Sequence, residues 1–320
     1  MKRIIACIVC VFMAFSLCSC GAAPQTADSY VIGICQYMPH SASNEATQGF
    51  MDAVTEAFGE NVTFDNQNAA GEASHCSAIL NGLVASEVDL ILANSTPAVI
   101  AAYNATDQIP VLGTSVTEYG VALGIEDFSG TVGSNVSGTS DLADLDKQAQ
   151  MVLDWCPEAK NLGLLYCSAE PNSKYQINKV EQYLEDKGLT CKQFAFADTS
   201  DLMAVTREAA DFSDVIYIPT DNTAATHAAA IDSVCRPAKV PIIAGDTGTF
   251  KACGIATMAI DYYDLGYVTG QMAVRILRDG EDISTMPIEY VSEATYYYNE
   301  EICAELGIEP LEGYEKLPGA

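Results

Sequence analysis

Polar side chains follow the ends of the strand-like runs in this sequence. The stretch YIPTDN begins as a buried strand and ends in Asp221 and Asn222. In parallel α/β sheets, ligands bind beyond the carboxyl ends of the strands. We therefore take the polar residues at these ends as candidate ligand-binding residues: Gln36, Ser95, Thr96, Ser115, Thr117, Glu170, Asn172, Ser173, Asp221, Asn222 and Asp246.

The candidates divide into two sets with different chemistry. Those of the first half are mainly hydroxyls, Ser95, Thr96, Ser115 and Thr117, whereas those of the second half are carboxylates and amides. Hydroxyls beside helix N-termini suit a carboxylate ligand, and Asp221 suits an ammonium group. Taken singly, each residue is better explained as a helix cap. Taken together across a cleft, the two sets would hold the two charged groups of an amino acid.

Tyr37 and His40 follow Gln36 in a predicted loop, where they could flank the side chain of a ligand. A surface or core-edge position is an equal alternative for both. The three histidines, His40, His75 and His227, are widely spaced and form no HExxH motif. The sequence therefore predicts no metal site.

Motifs of catalysis and of cofactor binding are also missing from the sequence. It contains no GxSxG nucleophile elbow, no phosphate loop of the GxxxxGK[ST] type and no GxGxxG. A racemase or decarboxylase that uses Cys35 beside residues 94–96 is a conceivable alternative. Because a reactive thiol needs an activating partner that the sequence does not show, we predict a protein that is not an enzyme and has no cofactor.

The elements that must position the candidates form two series of alternating strands and helices. Their apolar runs are nearly continuous, which indicates parallel sheets covered on both faces. A Gly, Ser and Asp-rich stretch over residues 133–145 separates the series, and the tail returns to complete both sheets. We predict an α/β fold of two doubly wound lobes, with these boundaries: 1–19 signal peptide, 20–28 anchor linker, 29–140 plus 258–285 first lobe, 141–257 plus 286–320 second lobe.

The N-terminus resembles a secretory signal, since Lys2 and Arg3 precede an apolar run over residues 4–15. The following LCSCG resembles the lipobox of bacterial lipoproteins, so Cys20 is the predicted lipidation site; an ordinary cleaved signal is the alternative. The chain carries 43 acidic and 15 basic residues, a balance that repels phosphate backbones and argues against nucleic-acid binding. The eight later cysteines form no CxxC pair, and we predict mostly free, buried thiols.

Several stretches together carry a resemblance to the type I substrate-binding proteins of ABC transporters, specifically to lipoproteins of the tryptophan/tyrosine type. These stretches are IGICQYMPH, NAAGE, DLILANSTPA, IPVLGTSVT, NVSG, LGLLYCSAEPNS, YIPTDN, VPIIAGD, AIDYYDLG and ELGIEP. The resemblance implies a bilobal flytrap with three hinge crossings. It also implies a small-molecule ligand, most simply an aromatic amino acid, that is clamped between the lobes and delivered to a permease driven by an ATPase.

The same resemblance implies an exported monomer that is lipid-anchored to the outer face of the bacterial cytoplasmic membrane. It assigns the carboxylate of the ligand to the hydroxyls of the first lobe and its ammonium group to Asp221. Two departures from the family pattern, Ser41 after His40 and Glu118 after Thr117, leave the identity of the amino acid open. A sugar or nucleoside carrier of the same fold and a ligand-sensing lipoprotein are the alternatives.

Overall fold

The computed structural model describes residues 29–291 and 294–317 as two α/β lobes, each built on one largely parallel sheet. This confirms the predicted fold class. Cys20 and the signal-like segment lie outside the described residues. Within the described part of the chain, no helix has the length and apolar character needed to cross a membrane.

The first lobe contains a six-stranded sheet in the order β11-β5-β4-β3-β1-β2. Its strands are β1 (Tyr30–Gln36), β2 (Val62–Asn68), β3 (Leu90–Asn94), β4 (Val111–Val116), β5 (Val136–Ser140) and β11 (Glu289–Tyr290). Its helices are α1 (Ser41–Phe58), α2 (Ala73–Ala85), α3 (Thr96–Ala105), α4 (Tyr119–Leu123) and α11 (Tyr262–Asp279). All five residues of β3 are buried, as expected for a central strand of a sheet that helices cover on both faces.

The second lobe contains a seven-stranded sheet in the order β13-β12-β10-β9-β8-β6-β7. Its strands are β6 (Asn161–Cys167), β7 (Thr190–Phe196), β8 (Val215–Ile218), β9 (Ile242–Ala244), β10 (Ala256–Ile260), β12 (Ala294–Tyr298) and β13 (Glu315–Lys316). Its helices are α5 (Leu145–Trp155), α6 (Pro171–Asp186), α7 (Leu202–Phe212), α8 (Asn222–Thr226), α9 (Ala228–Ala238), α10 (Thr247–Cys253) and α12 (Glu300–Leu306). Strand β12 runs antiparallel to β10.

The chain passes between the lobes three times, after β5, after β10 and between β11 and β12. Sheet membership moves two of the predicted boundaries. Residues 258–260 lie in the second sheet because the apolar run of β10 pairs with β9 and β12. Residues 289–290 lie in the first sheet because they pair with β5.

Helices α1 and α11 meet through glycines. A Cβ atom placed on Gly266 would lie 1.9 Å from the carbonyl oxygen of Ala46, and one on Gly49 would lie 2.1 Å from that of Tyr263. Only glycine permits two helix backbones to approach this closely. The contact fixes α11 to the first lobe, although the strand just before it belongs to the second.

Two local features differ from the sequence-based expectation. The Gly and Ser-rich stretch predicted as a crossing contains β5, and the crossing begins directly after it. The helix predicted after Asp221 is broken at His227 into α8 and α9. All eight cysteines of the described residues are free in this structure, and six of them are buried.

Candidate functional site

A small cavity lies between the two lobes at the carboxyl ends of their strands. Seven of the predicted residues line it, and so do four that the sequence reading missed. The predicted ones are His40, Ser115, Thr117, Asn172, Asp221, Asn222 and Asp246, and the missed ones are Asp141, Thr220, Ala225 and Tyr262. The structure therefore brings hydroxyls of one lobe and carboxylates of the other to the same cleft.

The wall of the first lobe is built from strand ends with unusual backbone geometry. Ser95 directly follows β3 and Ser115 is the last residue but one of β4, and both adopt positive φ values, 88° and 54°. A non-glycine residue in this region carries backbone strain of about 1–3 kcal/mol, which is concentrated at functional sites in proteins. The hydroxyl of Ser115 is buried without a hydrogen-bond partner. It is therefore available to a ligand.

The wall of the second lobe is organised around Asp221, which caps α8. Its Oδ1 accepts a hydrogen bond from the Ala224 N–H at 2.8 Å, and its Oδ2 accepts one from the Cys167 N–H at 2.7 Å. These bonds hold the carboxylate at the end of β6, facing the cavity. Because each carboxylate oxygen can accept two hydrogen bonds, Asp221 keeps acceptor capacity for a ligand.

Glu170 supports this wall from behind and does not line the cavity. Its two carboxylate oxygens accept four hydrogen bonds, from the backbone and side chain of Asn222 and from the backbone and side chain of Thr223. Glu170 is 1% exposed. Its role in this structure is to hold the start of α8, which corrects its assignment as a ligand contact.

Asp141 and Tyr262 come from two of the hinge crossings and meet at the base of the cavity. The Tyr262 hydroxyl donates a 3.0 Å hydrogen bond to Asp141 Oδ2. Asp141 Oδ1 is buried without a partner, as is Oδ1 of Asn172 on the second lobe. The sequence places Asp141 in the stretch read as a crossing, so its position at the start of the hinge was the available signal.

The cavity is strongly acidic. Burial raises the pKa of Asp141 to about 6, and hydrogen bonds such as that from Tyr262 limit the shift. Burial, with the nearby charge of Glu170, raises the pKa of Asp221, and burial raises that of Asp246. No lysine or arginine of the described residues lines the cavity. The site therefore holds three carboxyl groups beside the His40 ring, with no lysine or arginine from the described part of the chain to balance them.

The two lobes touch across this cleft. Asn222 Oδ1 accepts hydrogen bonds from the Ser95 hydroxyl at 3.0 Å and from His40 Nε2 at 3.3 Å. His40 Nδ1 accepts from the Ser43 N–H, which leaves the proton on Nε2. A surface ion pair between Lys251 and Glu45 also joins the lobes at 3.1 Å. The cavity that remains, about 10 Å³, has room for about one water molecule.

The other predicted residues lie outside the cavity. The side-chain amide of Gln36 bonds Asn44, Thr47 and the carbonyl of Met38, so it ties β1 to α1 within the first lobe. Tyr37 belongs to the apolar core of that lobe. Ser95 and Thr96 begin α3, and Ser173 donates to the carbonyl of Thr220. Gln36 is structural here, because partners within its own lobe satisfy its side-chain amide.

Comparison with known proteins identifies the kind of protein that has this cleft. Residues 31–318 match the family model described as ABC transporter substrate binding protein. The chain belongs to this family. It is 32% identical, over 88% of its length and 81% of the relative's, to the "Tyrosine-binding protein" of Clostridioides difficile strain R20291.

Two solved structures show the state of the lobes. An ABC domain of Streptococcus pneumonia in complex with L-Trp is 29% identical and has a TM-score of 0.86 over 90% of this chain and 99% of its own. The ligand-free, open structure of a Clostridium difficile substrate binding protein with adhesive properties is 33% identical but has a TM-score of 0.69 over the same shares. The lobes of this chain are thus arranged more like those of the L-Trp complex than those of the open structure, and the hydrogen bonds across the cleft show that they are closed.

Membership of the family makes this substrate-binding protein a component of an ABC transporter, with a small-molecule ligand and a permease partner. Substrate-binding proteins of ABC transporters act outside the cytoplasm. The family is one of solute binding and not of catalysis. Within residues 29–291 and 294–317, no group of three His, Cys, Asp or Glu side chains is arranged to hold a metal ion.

Proposed function

We propose that this protein binds an amino acid, most simply an aromatic one, between its lobes and delivers it to the permease of an ABC importer. The name of the Clostridioides difficile relative and the L-Trp bound to the Streptococcus structure support the aromatic class. Both walls of the cleft come from one chain, so a monomer is sufficient for binding. The argument from this chain's own residues rests on the chemistry of the cavity.

The observation that carries the proposal is a set of buried acceptors that face the cavity without a lysine or arginine from residues 29–291 or 294–317 beside them. Asp141 Oδ1 and Asn172 Oδ1 have no hydrogen-bond partner, and Asp141 and Asn172 are 2% and 3% exposed. Asp221 adds a second carboxylate beside them. A buried acceptor without a partner costs about 1–3 kcal/mol, and more for a charged group. A ligand ammonium group would supply both the donors and the missing positive charge.

The carboxylate of the amino acid has a site on the opposite wall. The N-termini of α8 and α10 are already capped by the side chains of Asp221 and Asp246, whereas α3 begins at Thr96 without a side-chain cap. The partial positive charge of a helix N-terminus favours an anion. We assign the ligand carboxylate to this helix start and to the hydroxyls of Ser115 and Ser95, the latter after its hydrogen bond to Asn222 has opened.

Binding requires the lobes to separate and close again. The closed cavity is far smaller than an amino acid, so the ligand enters an open form. A ligand that contacts both walls binds only the closed form well, and it therefore shifts the hinge equilibrium towards closure. The hydrogen bonds of Asn222 with Ser95 and His40 join the lobes across the cleft, so they must break before the ligand can enter. Closure is the signal that the permease would recognise.

Isothermal titration calorimetry with matched ligands tests the proposal. We expect L-tyrosine or L-tryptophan to bind, and we expect 3-(4-hydroxyphenyl)propionate, which lacks the ammonium group, and tyramine, which lacks the carboxylate, to bind at least tenfold more weakly. Charge-assisted hydrogen bonds of about 1.5–3 kcal/mol set this scale. Binding of a sugar or nucleoside with no response to any amino acid would overturn the assignment.

We propose further that Cys20 carries a lipid that anchors the exported protein to the membrane. Support comes only from the lipobox-like LCSCG and the signal-like segment before it. Labelling of producing cells with an alkyne fatty acid should mark the wild-type protein. The Cys20→Ser variant should lose the label and leave the membrane fraction. A labelled Cys20→Ser variant would contradict this site.

A further inference from the structure

Two buried cysteines of the first lobe, Cys35 and Cys76, lie against each other at the end of β1 and the start of α2. Both are 0% exposed and belong to the same apolar cluster. Neither takes part in the ligand site described above. Their pairing follows from how α2 packs on the sheet.

Helix α2 lies directly over β1 because of Gly33. A Cβ atom placed on Gly33 would lie 2.8 Å from the side chain of Leu83, so Leu83 fills the space above this residue. Strands β2 and β3, which α2 connects, both run parallel to β1. The helix therefore runs antiparallel to β1. Leu83 and Gly33 fix the register of the two elements.

The same register brings the two thiols together. Cys35 follows Gly33 by two residues, on the same face of the strand and about 7 Å further along it. Cys76 precedes Leu83 by seven residues, on the same face of the helix and about 10.5 Å away. Because the elements are antiparallel, both displacements point in the same direction, and the two side chains arrive within reach of each other.

The closeness of the two thiols changes both of their pKa values. A hydrogen bond between them raises the pKa of the Cys35 thiol and lowers the pKa of the Cys76 thiol. Cys76 is thus the group with more thiolate character. Thiolates carry out thiol–disulfide exchange, so Cys76 is the attacking sulfur of this pair.

We propose that Cys35 and Cys76 form a redox-active dithiol that closes to a disulfide under the oxidising conditions outside the cytoplasm. The Cys76 thiolate attacks a low-molecular-weight disulfide such as glutathione disulfide, which gives a mixed disulfide and one released thiol. Cys35 then displaces the second thiol. The two protein thiols lose two protons and two electrons in total, and the reagent disulfide gains both as two thiols. The product ties the start of α2 to the end of β1.

The bond would also fix the loop that leads to the ligand cleft. Cys35 is followed by Gln36 and Tyr37, and the loop ends at His40, which lines the cavity. On the other side, residues 69–72 precede α2, and Gly71 donates a backbone hydrogen bond to the Tyr37 carbonyl. The disulfide would therefore hold together the two loops behind one wall of the cleft. This site does not depend on the identity of the ligand.

Because both sulfurs are buried, exchange in the folded protein needs a local opening, and refolding gives the clearest test. The full-length wild-type chain is unfolded and reduced in urea, and it is then refolded either in a glutathione/glutathione disulfide buffer or in dithiothreitol. Remaining thiols are blocked with N-ethylmaleimide before digestion. Trypsin is unsuitable, since no lysine or arginine lies between Arg3 and Lys147. Chymotrypsin cleaves after Tyr30 and Tyr37 and releases a peptide with Cys35 as its sole cysteine.

We expect mass spectrometry to find this peptide joined to the Cys76 peptide after refolding in the glutathione buffer and blocked by maleimide after refolding in dithiothreitol. The oxidised protein should melt at a higher temperature than the reduced one. The Cys76→Ala variant should lose both the linked peptide and the difference in melting temperature. The Cys235→Ala variant, which removes a buried thiol of the second lobe, should keep both. Natively folded, glutathione-treated protein with Cys35 blocked by maleimide, or joined to another cysteine, would overturn the proposal.

Discussion

The Asp141→Asn variant should make the free protein more stable and the ligand complex weaker. Burial raises the pKa of this carboxyl from its ordinary 3.8 to about 6. At 1.36 kcal/mol per pKa unit, ionised Asp141 destabilises the closed folded state by about 3 kcal/mol at pH 7.5, and this is the upper limit for the free protein because hinge opening hydrates the group. Asparagine has nearly the same shape, still accepts the Tyr262 hydroxyl and carries no charge. The substitution therefore removes the destabilisation caused by the buried charge.

The sign of the pH dependence distinguishes this cause from a packing effect. A raised pKa means that the folded state holds the proton more tightly than the unfolded chain does. Wild-type stability from Asp141 is therefore fully present below about pH 4 and is lost as the pH rises through about 6. The melting temperatures of wild type and Asp141→Asn should nearly coincide at pH 4 and separate at pH 7.5. A gain of about 3 kcal/mol corresponds to a rise of roughly 5–10 °C.

Ligand binding should show the opposite effect. An ammonium group beside ionised Asp141 gains a charge-assisted hydrogen bond of about 1.5–3 kcal/mol, so the variant should bind roughly 10–150-fold more weakly. Wild-type affinity should rise by up to about tenfold per pH unit towards pH 6 as Asp141 ionises, whereas the variant should lack this slope. Calorimetric titrations between pH 5 and 8 measure both slopes.

The matched control is Asp146→Asn, which removes the same charge from an exposed position in the first turn of α5. Its melting temperature and ligand affinity should stay within the small range typical of surface substitutions, about 0.5 kcal/mol. An Asp141→Asn protein that melts no higher than wild type at pH 7.5, or that binds the ligand with unchanged affinity, would refute the reasoning.

Three further substitutions test other parts of the structure. Glu170→Gln should lower the free energy of unfolding in urea by about 1–3 kcal/mol, because an NH2 group then replaces one oxygen that accepts hydrogen bonds from Asn222 and Thr223. The control Glu185→Gln, at an exposed position of the helix that begins directly after Glu170, should be nearly neutral. Gly266→Ala should cost about 2 kcal/mol or more in thermal melts followed by circular dichroism, since its methyl group meets the backbone of α1; an unchanged melt would show that the helices can separate freely. Lys251→Gln should change ligand affinity by less than about fivefold, because its pair with Glu45 is exposed; a larger effect that persists in high salt would contradict this.

The sequence predicted the site residues that lie at the ends of strands. Nearly continuous apolar runs such as β3 reveal buried strands, and the polar residues directly after them must lie at one edge of the sheet. This placed Ser115, Asn172, Asp221 and Asp246 at the cleft. The same rule could not tell a residue that faces the cavity from one that faces inward. Gln36 is the last residue of β1 and Ser115 the last but one of β4, yet Gln36 is satisfied by partners in its own lobe.

Hinge residues were harder to predict because their role depends on how the lobes meet. Asp141 stands in a stretch whose composition suggests a polar connection exposed to water, and nothing local indicates that it is buried. It becomes a site residue only because Tyr262, more than a hundred positions later, begins the return crossing and donates to it. A contact between residues so far apart in the chain leaves no periodic pattern in a single sequence.

The cost of Asp141 is best understood as part of the binding mechanism. A closed cleft that holds unbalanced carboxylates is unfavourable without a cationic ligand, because burial penalises each charge. Opening the hinge hydrates these groups and relieves the penalty. The free protein is thereby biased towards the open form. An ammonium group that enters the cleft balances the charge of the carboxylates, so the closed form is no longer penalised. The same carboxylate that lowers the stability of the empty closed state would thus make closure depend on the ligand, which is the property that a transport component needs.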